Sequence, residues 1–498
     1  MHIVSNPATR WALSLQVLAA CLTGLLIPLS FTGPAVALPA LSQLAGASPS
    51  ALNWVLNAYI LSYGSAMMVA GSLTDLLGRR RVWLAGLSVF CLATLAIACA
   101  WSVPLIGLLR FVQGLGGAAA FAAAMSSLSP LFQGAARNRV MSLLGTTFGV
   151  GLAFGPLAAG AVLAVAHWPA IFYATAALGA LGLLLAGASV PQDPAHAGGR
   201  LDWPGALTFS GALGLLTVAL LLAPEHGWRS PWVLWPALAA LLLFAAFMRI
   251  EKGTGQPLLD LSLFRQRQFV GVQVLAASPA FLFIVLIVML PGRFIGVDGM
   301  APLAAGRLMM ALAAPLLLVP VLASVLLRWW SASFLCAAGL LLAAVGLAWL
   351  AMAGAATPWA LLLIGTGIGL PWGLMDAMAL NVVEADRAGM ATGIFNTVRV
   401  SADGVALAVA GAVLAGLIGI SLAESLPAGL PLAQAASRAA LGDLRQAAQL
   451  LSGNMELLRA SYDAAFRQLL LLLSALAVAT ALLLVCLLRQ ERPQASKP

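Results

Sequence analysis

The sequence predicts an all-α polytopic membrane protein, and three observations carry that prediction. Of its 498 residues, 62% are hydrophobic and only 8% are charged, against about 45–50% apolar and about 25% charged in soluble domains. A chain this apolar has too few polar groups to cover its own surface, and lipid is the solvent that suits it. Second, fourteen apolar stretches reach the ~18 residues that a bilayer-crossing helix needs. They lie at roughly 12–38, 52–72, 82–101, 104–126, 140–164, 167–188, 204–223, 232–250, 270–290, 303–326, 332–353, 357–382, 392–419 and 467–488. Third, the basic residues segregate. If the side holding the N-terminus is the inner one, the inner segments carry sixteen of the 25 Lys and Arg residues, and the short outer loops carry only Arg229 and Arg293. By the positive-inside rule both termini are then cytoplasmic.

Taken in order, the first stretch follows a single arginine, Arg10, and has no small-residue cleavage site, so it reads as a retained helix that also directs insertion. Between the second and third stretches lie Gly71, Asp75, Gly78, Arg79, Arg80 and Arg81. Glycine suits a tight turn, and one carboxylate there faces three guanidiniums; the plainer reading is a positive-inside anchor. The fourth stretch carries Arg110, Gln113, Gly114 and Gly116. An arginine inside an apolar helix costs about 2.5–3.5 kcal/mol on insertion scales, so it should face a cavity or a partner, unless it snorkels to the nearby interface. The fifth runs through Gly145, Gly149, Gly151, Gly155, Pro156 and Gly160, where small residues at i, i+4 allow close helix approach and proline bends the helix.

The segment around 189–203, with Pro191, Asp193, Pro194 and His196, is a turn-rich linker. The stretch 421–466 is polar enough to leave the membrane, with one or two amphipathic helices on the outer face. Inside the apolar stretches the acids are Asp376 and Asp403, and the bases are Arg110, Arg307 and Arg399. Such residues are functional candidates by default. Arg399 and Asp403 stand at i, i+4 on one helix face, where they can also serve as a packing pair.

These residues resemble the signatures of the major facilitator superfamily. The spacing G-x-x-x-D-x-x-G-R-R at 71–80 is similar to its loop motif, R-x-x-Q-G-x-G at 110–116 to its fourth-helix motif, and the glycine series ending in Gly155 and Pro156 to the fifth-helix motif of its exporters. Further pieces resemble the fourteen-helix drug:proton antiporters of EmrB/QacA type: Trp54 with Asn57 and Tyr59; Asp202 to Gly205; Gly227 to Pro231; Pro257 to Phe264; and Arg387 to Arg399. The resemblance implies two six-helix bundles, an N-terminal one at 1–190 and a C-terminal one at 254–498, with two inserted helices in 191–253. It implies alternating access about a central site and export of amphipathic drugs or metabolites in exchange for protons. The implied partners are a small-molecule substrate, protons and the lipid bilayer of the bacterial inner membrane, not nucleic acid, with a periplasmic adaptor protein left open.

The sequence also departs from that pattern. Ser30 stands where the family usually has a first-helix acid, Ala35 where it has asparagine, and Ala159 where it has a glycine. Trp168-Pro169 replaces a tryptophan–arginine pair, and the half-repeat of the Asp/Arg loop near 321–331 is reduced to Arg328. Proton coupling therefore falls to Asp403, assisted by Asp376, or is absent; a dedicated exporter of one metabolite is the alternative.

Other classes find little support. Neither Lys252 nor Lys497 follows a phosphate-loop glycine pattern, and the Gly365, Gly367, Gly369 run lies in an apolar stretch, where it reads as packing. The histidines and the five cysteines show no ligand spacing, so no metal or cofactor is expected. A membrane enzyme or sensor would need a nucleophile–base pair or a catalytic domain, and none is visible.

Overall fold

The computed structural model describes residues 7–128, 131–132, 134–191, 202–253, 261–353, 358–381, 388–427, 430–451 and 453–488, without the side chains of Asp75 and Asp376 among others. All of the described regular structure is helical, apart from one bridge that pairs Ala45 with Ser102. In a bilayer, backbone groups have no water to turn to, and a helix closes each bond within its own segment.

The helices are α1 (Pro7–Leu41), α2 (Pro49–Leu77), α3 (Arg79–Ala98), α4 (Val103–Leu128), α5 (Gly134–Val165), α6 (Pro169–Ser189), α7 (Trp203–His226) and α8 (Pro231–Gly253). They continue with α9 (Arg267–Pro279), α10 (Val285–Gly292), α11 (Pro302–Ala313), α12 (Pro315–Leu326), α13 (Ala332–Ala353) and α14 (Pro358–Asn381). Then come α15 (Ala388–Ser425), α16 (Leu432–Ala440), α17 (Leu444–Leu450) and α18 (Met455–Leu487). Their starts follow local rules. Proline opens α2, α6, α11 and α12, where its missing N–H costs nothing. Side chains of Ser48, Asp202, Asp443 and Asn454 accept the free N–H groups of α2, α7, α17 and α18.

Among the described residues, twelve helices are long and apolar enough to cross a membrane, or thirteen with α5 taken as one bent span. The bend of α5 is 45°, between Leu152 and Phe154. Pro156 lies four residues past Leu152, whose carbonyl therefore loses its helical donor. One span is continuous from Arg267 to Val297, with π-helical turns at Ala280–Ile284 and Arg293–Val297, just after Pro279 and Pro291. Inserting one residue into the turn is a way around the bonds that proline removes. Pro315 likewise separates α11 from α12.

Several expectations shift. The outer connection is shorter than 421–466, because α15 runs on to Ser425 and α18 begins at Met455; Arg459 and Arg467 are helical. Apolar stretches show where lipid meets the chain, whereas helices extend past the membrane as long as their backbone can bond. His226 closes α7. Cys91 and Cys336 are buried, as small core residues should be, but Cys99 and Cys486 are exposed. Arg307 is exposed on the second turn of α11. Most of the 189–203 linker lies outside the described residues.

Packing divides the helices into two groups. In the first, α1 lies on α5 and α6, α2 on α4, and α3 on α4 and α6; in the second, α13 packs on α14 and α18, and α12 on α14. Backbones approach closely at equivalent places. A Cβ on Gly116 of α4 would sit 2.7 Å from the Phe90 nitrogen of α3, and one on Gly367 of α14 would sit 2.5 Å from the Ala343 nitrogen of α13. Gly365 and Gly369 press on α11 and α12, so that glycine run packs two faces of one helix. The groups meet where α5 touches α11, α2 touches α15 and α1 touches α10. The hairpin of α7 and α8 lies beside them, α7 reaching both α2 and α15; Ser210 of α7 donates to the Ser65 carbonyl (2.9 Å).

The side on which α1 ends is called the far side. There α16 and α17 form a cap: Arg438 donates to Gln446 and to the Ala47 carbonyl, and Gln446 donates to the Ser42 carbonyl (2.8 Å).

Candidate functional site: a charged and aromatic centre between the two helix groups

Arg110 of α4 is fully buried, which removes the snorkelling alternative. Its Nε donates to the Val55 carbonyl (3.0 Å) and its Nη1 to Gln113 Oε1 (2.6 Å), one helical turn on. Gln113 passes the network to Thr94 of α3 (2.7 Å). The guanidinium lies 4.2 Å from the centre of the Tyr59 ring, and the Tyr59 hydroxyl donates to the Ile27 carbonyl (3.0 Å). Arg110 and Gln113 thus tie α1, α2, α3 and α4 together. No carboxylate pairs with Arg110 among the described residues. A cation kept out of water without an anion is costly, so packing alone is a poor reason for it.

From Tyr59 a row of rings leads to the interface between the groups. Tyr59 stacks on Tyr63 (6.2 Å), Tyr63 meets Phe121 of α4 (6.5 Å), and Phe121 meets Phe148 of α5 (5.8 Å). Arg399 of α15 comes next. Its guanidinium carbon stands 5.8 Å from the Phe148 centroid and 5.3 Å from that of Trp372 on α14; Trp372 in turn stands edge-on to Phe283 (5.9 Å). Both contacts fall within cation–π reach, and they come from opposite groups. Asp403, one turn further along α15, is half-buried, and both Arg399 and Asp403 lie within electrostatic reach of Tyr63. The structure therefore sets rings from α5 and α14 against the Arg399 guanidinium, with Asp403 one turn further along the same helix. Asp376 lies on α14, one turn past Trp372, but its side chain is outside the described residues. Ser30 is buried.

The α2–α3 connection is a single residue. Gly78 has φ +92°, a conformation that side chains rarely adopt, and it ends α2 while opening α3. Arg79, Arg80 and Arg81 are therefore the first turn of α3 rather than loop residues. A helix N-terminus repels cations, and Arg80 finds its partner elsewhere: it donates to the Gly187 carbonyl (2.8 Å) in the last turn of α6, a helix end that favours positive charge. Gly71 has open space around it; the Asp75 side chain is outside the described residues.

The fifth-helix motif divides between two tasks. A Cβ on Gly151 or Gly155 would run into Pro28 or Thr32 of α1, within the first group. One on Gly160 would meet the Pro302 carbonyl oxygen at 2.5 Å, across the interface, where Gly306 of α11 returns the approach against Leu157. Pro156 sits between these contacts, at the bend.

On the far side a charge cluster joins the end of the span Arg267–Val297 to α18. Arg293 pairs with Asp463 (2.7 Å) and Asp298 (3.6 Å) and lies over Phe466 (5.0 Å) and Tyr462 (5.6 Å). Burial pushes the Asp298 carboxyl above its ordinary range, against the opposing pull of Arg293. Among the described residues, no three His, Cys, Asp or Glu side chains gather as they would around a metal.

The sequence profile of the major facilitator superfamily matches residues 20–407. The chain belongs to that superfamily. Curated relatives include the multidrug resistance protein Stp of Mycobacterium tuberculosis, 29% identical over 80% of this chain and 75% of its own. Another is the tetracenomycin C resistance and export protein of Streptomyces glaucescens, 29% identical over 81% and 76% of the two chains. Among solved structures, a bacterial homologue of the human lysosomal transporter Spinster, in an inward-facing and unoccupied conformation, superposes with TM-score 0.61 at 16% identity, over 97% and 99% of the two chains. That likeness supports the major facilitator fold seen here.

The ring row escaped sequence reasoning. Phe121, Phe148 and Trp372 lie in apolar helices that also carry Phe111, Phe154 and Trp359, and only the row they form toward Arg399 distinguishes them from core residues.

Proposed function

We propose that this chain is a secondary transporter that exports amphipathic drugs or metabolites in exchange for protons. The observation that carries the proposal is the Arg399–Asp403 pair, set at the interface of the two groups and faced by aromatic rings from each. A site built from both groups is the one that alternating access requires, and relatives named for multidrug resistance and for tetracenomycin C export support the direction of transport. In this reading α1–α6 and the helices after residue 254 are the two six-helix bundles, with α7 and α8 inserted. The full count is fourteen spans, the last supplied by α2, whose 29 residues reach ~43 Å at 1.5 Å per residue. Both termini face the cytoplasm. An impermeant maleimide applied from outside then labels a cysteine placed in 430–460 and misses one at 195.

Asp403 carries the proton in this reading, because Ser30 has no carboxyl to offer and Asp403 lies at the centre. Asp376 assists. Proteoliposomes loaded with ethidium and given an imposed pH gradient test it: Asp403→Asn, Asp376→Asn and the double variant lose gradient-driven efflux if the carboxyls couple transport. Retained coupling in the double variant removes the carrier assignment, and a wild type indifferent to the gradient removes antiport. Export of a single antibiotic-like metabolite is the second reading, favoured by Ser30 and by the tetracenomycin C relative; a substrate panel separates the two.

A further inference from the structure

Resting on the export reading, we propose that Arg399 is a tethered competitor for the transported molecule. It occupies a cation site between Phe148 and Trp372 that a weakly hydrated organic cation takes in its place. The geometry is that of a filled cage. One guanidinium lies within ~6 Å of two ring centres, one ring from each helix group, and the ring row Tyr59, Tyr63, Phe121 continues from it. A guanidinium is planar, delocalised and weakly hydrated. The guests that match what now fills the cage are therefore quaternary ammonium and phosphonium ions, whose charge is likewise spread and poorly solvated, rather than primary amines.

The position of Asp403 gives the competition a second consequence. Arg399 and Asp403 stand four residues apart on α15, where side chains of one helix face can meet. An ionised Asp403 draws the guanidinium off the rings and leaves the cage to the guest. A proton taken from water onto the Asp403 carboxylate removes that attraction, the guanidinium returns to the rings, and the guest is expelled; the same proton leaves to water when the cycle reverses. Proton and organic cation thus exclude each other while binding at separate places, which is the condition for exchange. Of the helices packed on α15, α2 presents Tyr63 and carries Asp75 near its end and α14 carries Asp376, whereas α7 and α9 hold their charges at their ends, α18 in its far-side half and α16 at Arg438 on the far side.

The test is the binding of tetraphenylphosphonium to the purified full-length protein, by calorimetry. Removing the charge would strengthen cation binding on any electrostatic account, so the deciding variant is Arg399→Lys. It keeps the charge but offers the rings a strongly hydrated ammonium, a poorer occupant. Arg399→Lys is expected to bind tetraphenylphosphonium roughly two- to thirtyfold more tightly than wild type, the range that corresponds to about 0.5–2 kcal/mol of cation–π attraction. Trp372→Leu and Phe148→Leu should bind it more weakly by a similar factor, and Trp372→Phe should fall between Trp372→Leu and wild type. Thermal melting of each variant confirms that it is folded, and Trp372→Phe serves where the leucine variant is not. Equal or weaker binding by Arg399→Lys overturns the tethered competitor. A wild type that exports ethidium or an uncharged antibiotic yet binds no tetraphenylphosphonium overturns the cage and leaves the export reading standing.

Discussion

Gly160 offers a direct handle on the interface. Its Cα faces the start of α11, and a Cβ there would lie 2.5 Å from the Pro302 carbonyl oxygen and 2.9 Å from its carbon. Real Cβ contacts do not come below 3.0 Å, so Gly160→Ala forces α5 and α11 apart by about 0.5 Å (3.0 − 2.5) at a contact made of backbone. Backbone cannot rotate aside as a side chain can. Crowding a packed contact by one methyl costs about 1–3 kcal/mol. The contact joins the two groups on the far side, so in a protein that alternates between closed and open far sides the cost falls on the closed state. The equilibrium should move toward far-side opening by about five- to 150-fold. The assay is pulsed electron–electron distance measurement between spin labels on His167→Cys and Ala301→Cys, two exposed positions that flank the contact, in a background without the five native cysteines. Gly160→Ala should add or enlarge a longer-distance population. Gly145→Ala, where nothing lies within 4 Å, is the control and should leave the distribution as it was. An unchanged distribution in Gly160→Ala, with the protein folded, refutes the idea that this contact seals the far side.

Other perturbations probe the remaining sites. Arg110→Met gives up two charge-assisted hydrogen bonds, about 1.5–3 kcal/mol each, but relieves a buried cation that has no carboxylate partner among the described residues and whose desolvation costs several kcal/mol. Its melting temperature should stay within a few degrees of wild type while transport is lost; severe destabilisation would make Arg110 a packing residue. We propose that Asp75 acts on the N-terminal end of α15, where the helix dipole favours an anion by about 0.3–1 kcal/mol; Asp75→Asn should then lower transport with expression intact, and normal transport reduces the loop to an anchor. Asp298 binds its proton more tightly when folded than when unfolded. Its contribution to stability is therefore complete below the ordinary aspartate range and is lost as pH rises through the raised value. Asp298→Asn should melt at or above the wild-type temperature near neutral pH, with the difference vanishing in acid. A difference that grows in acid contradicts that sign.

The sequence by itself determined the solvent, the helical class and the family. The apolar stretches that predict spans are long local patterns, and each helix closes its own hydrogen bonds, so no distant residue is needed to recognise it. The motif at 71–80 was legible for a similar reason: a one-residue turn at Gly78 is a local demand on backbone conformation. Arg110 and Gln113 could be singled out as costly residues, but not placed. Whether Arg110 snorkels or reaches the Val55 carbonyl depends on α2 packing against α4, a contact between residues fifty-five apart. The two roles within the fifth-helix motif were likewise invisible, since Gly155 and Gly160 look alike until Thr32 and Pro302 stand against them. The aromatic cage is the extreme case. Phe148, Trp372 and Arg399 come from three helices scattered over some 250 positions, and only Arg399 stands out alone, as a charge in an apolar stretch. Only tertiary packing decides that they meet, because a cation–π contact depends on distance and direction in space and leaves no periodicity along the chain.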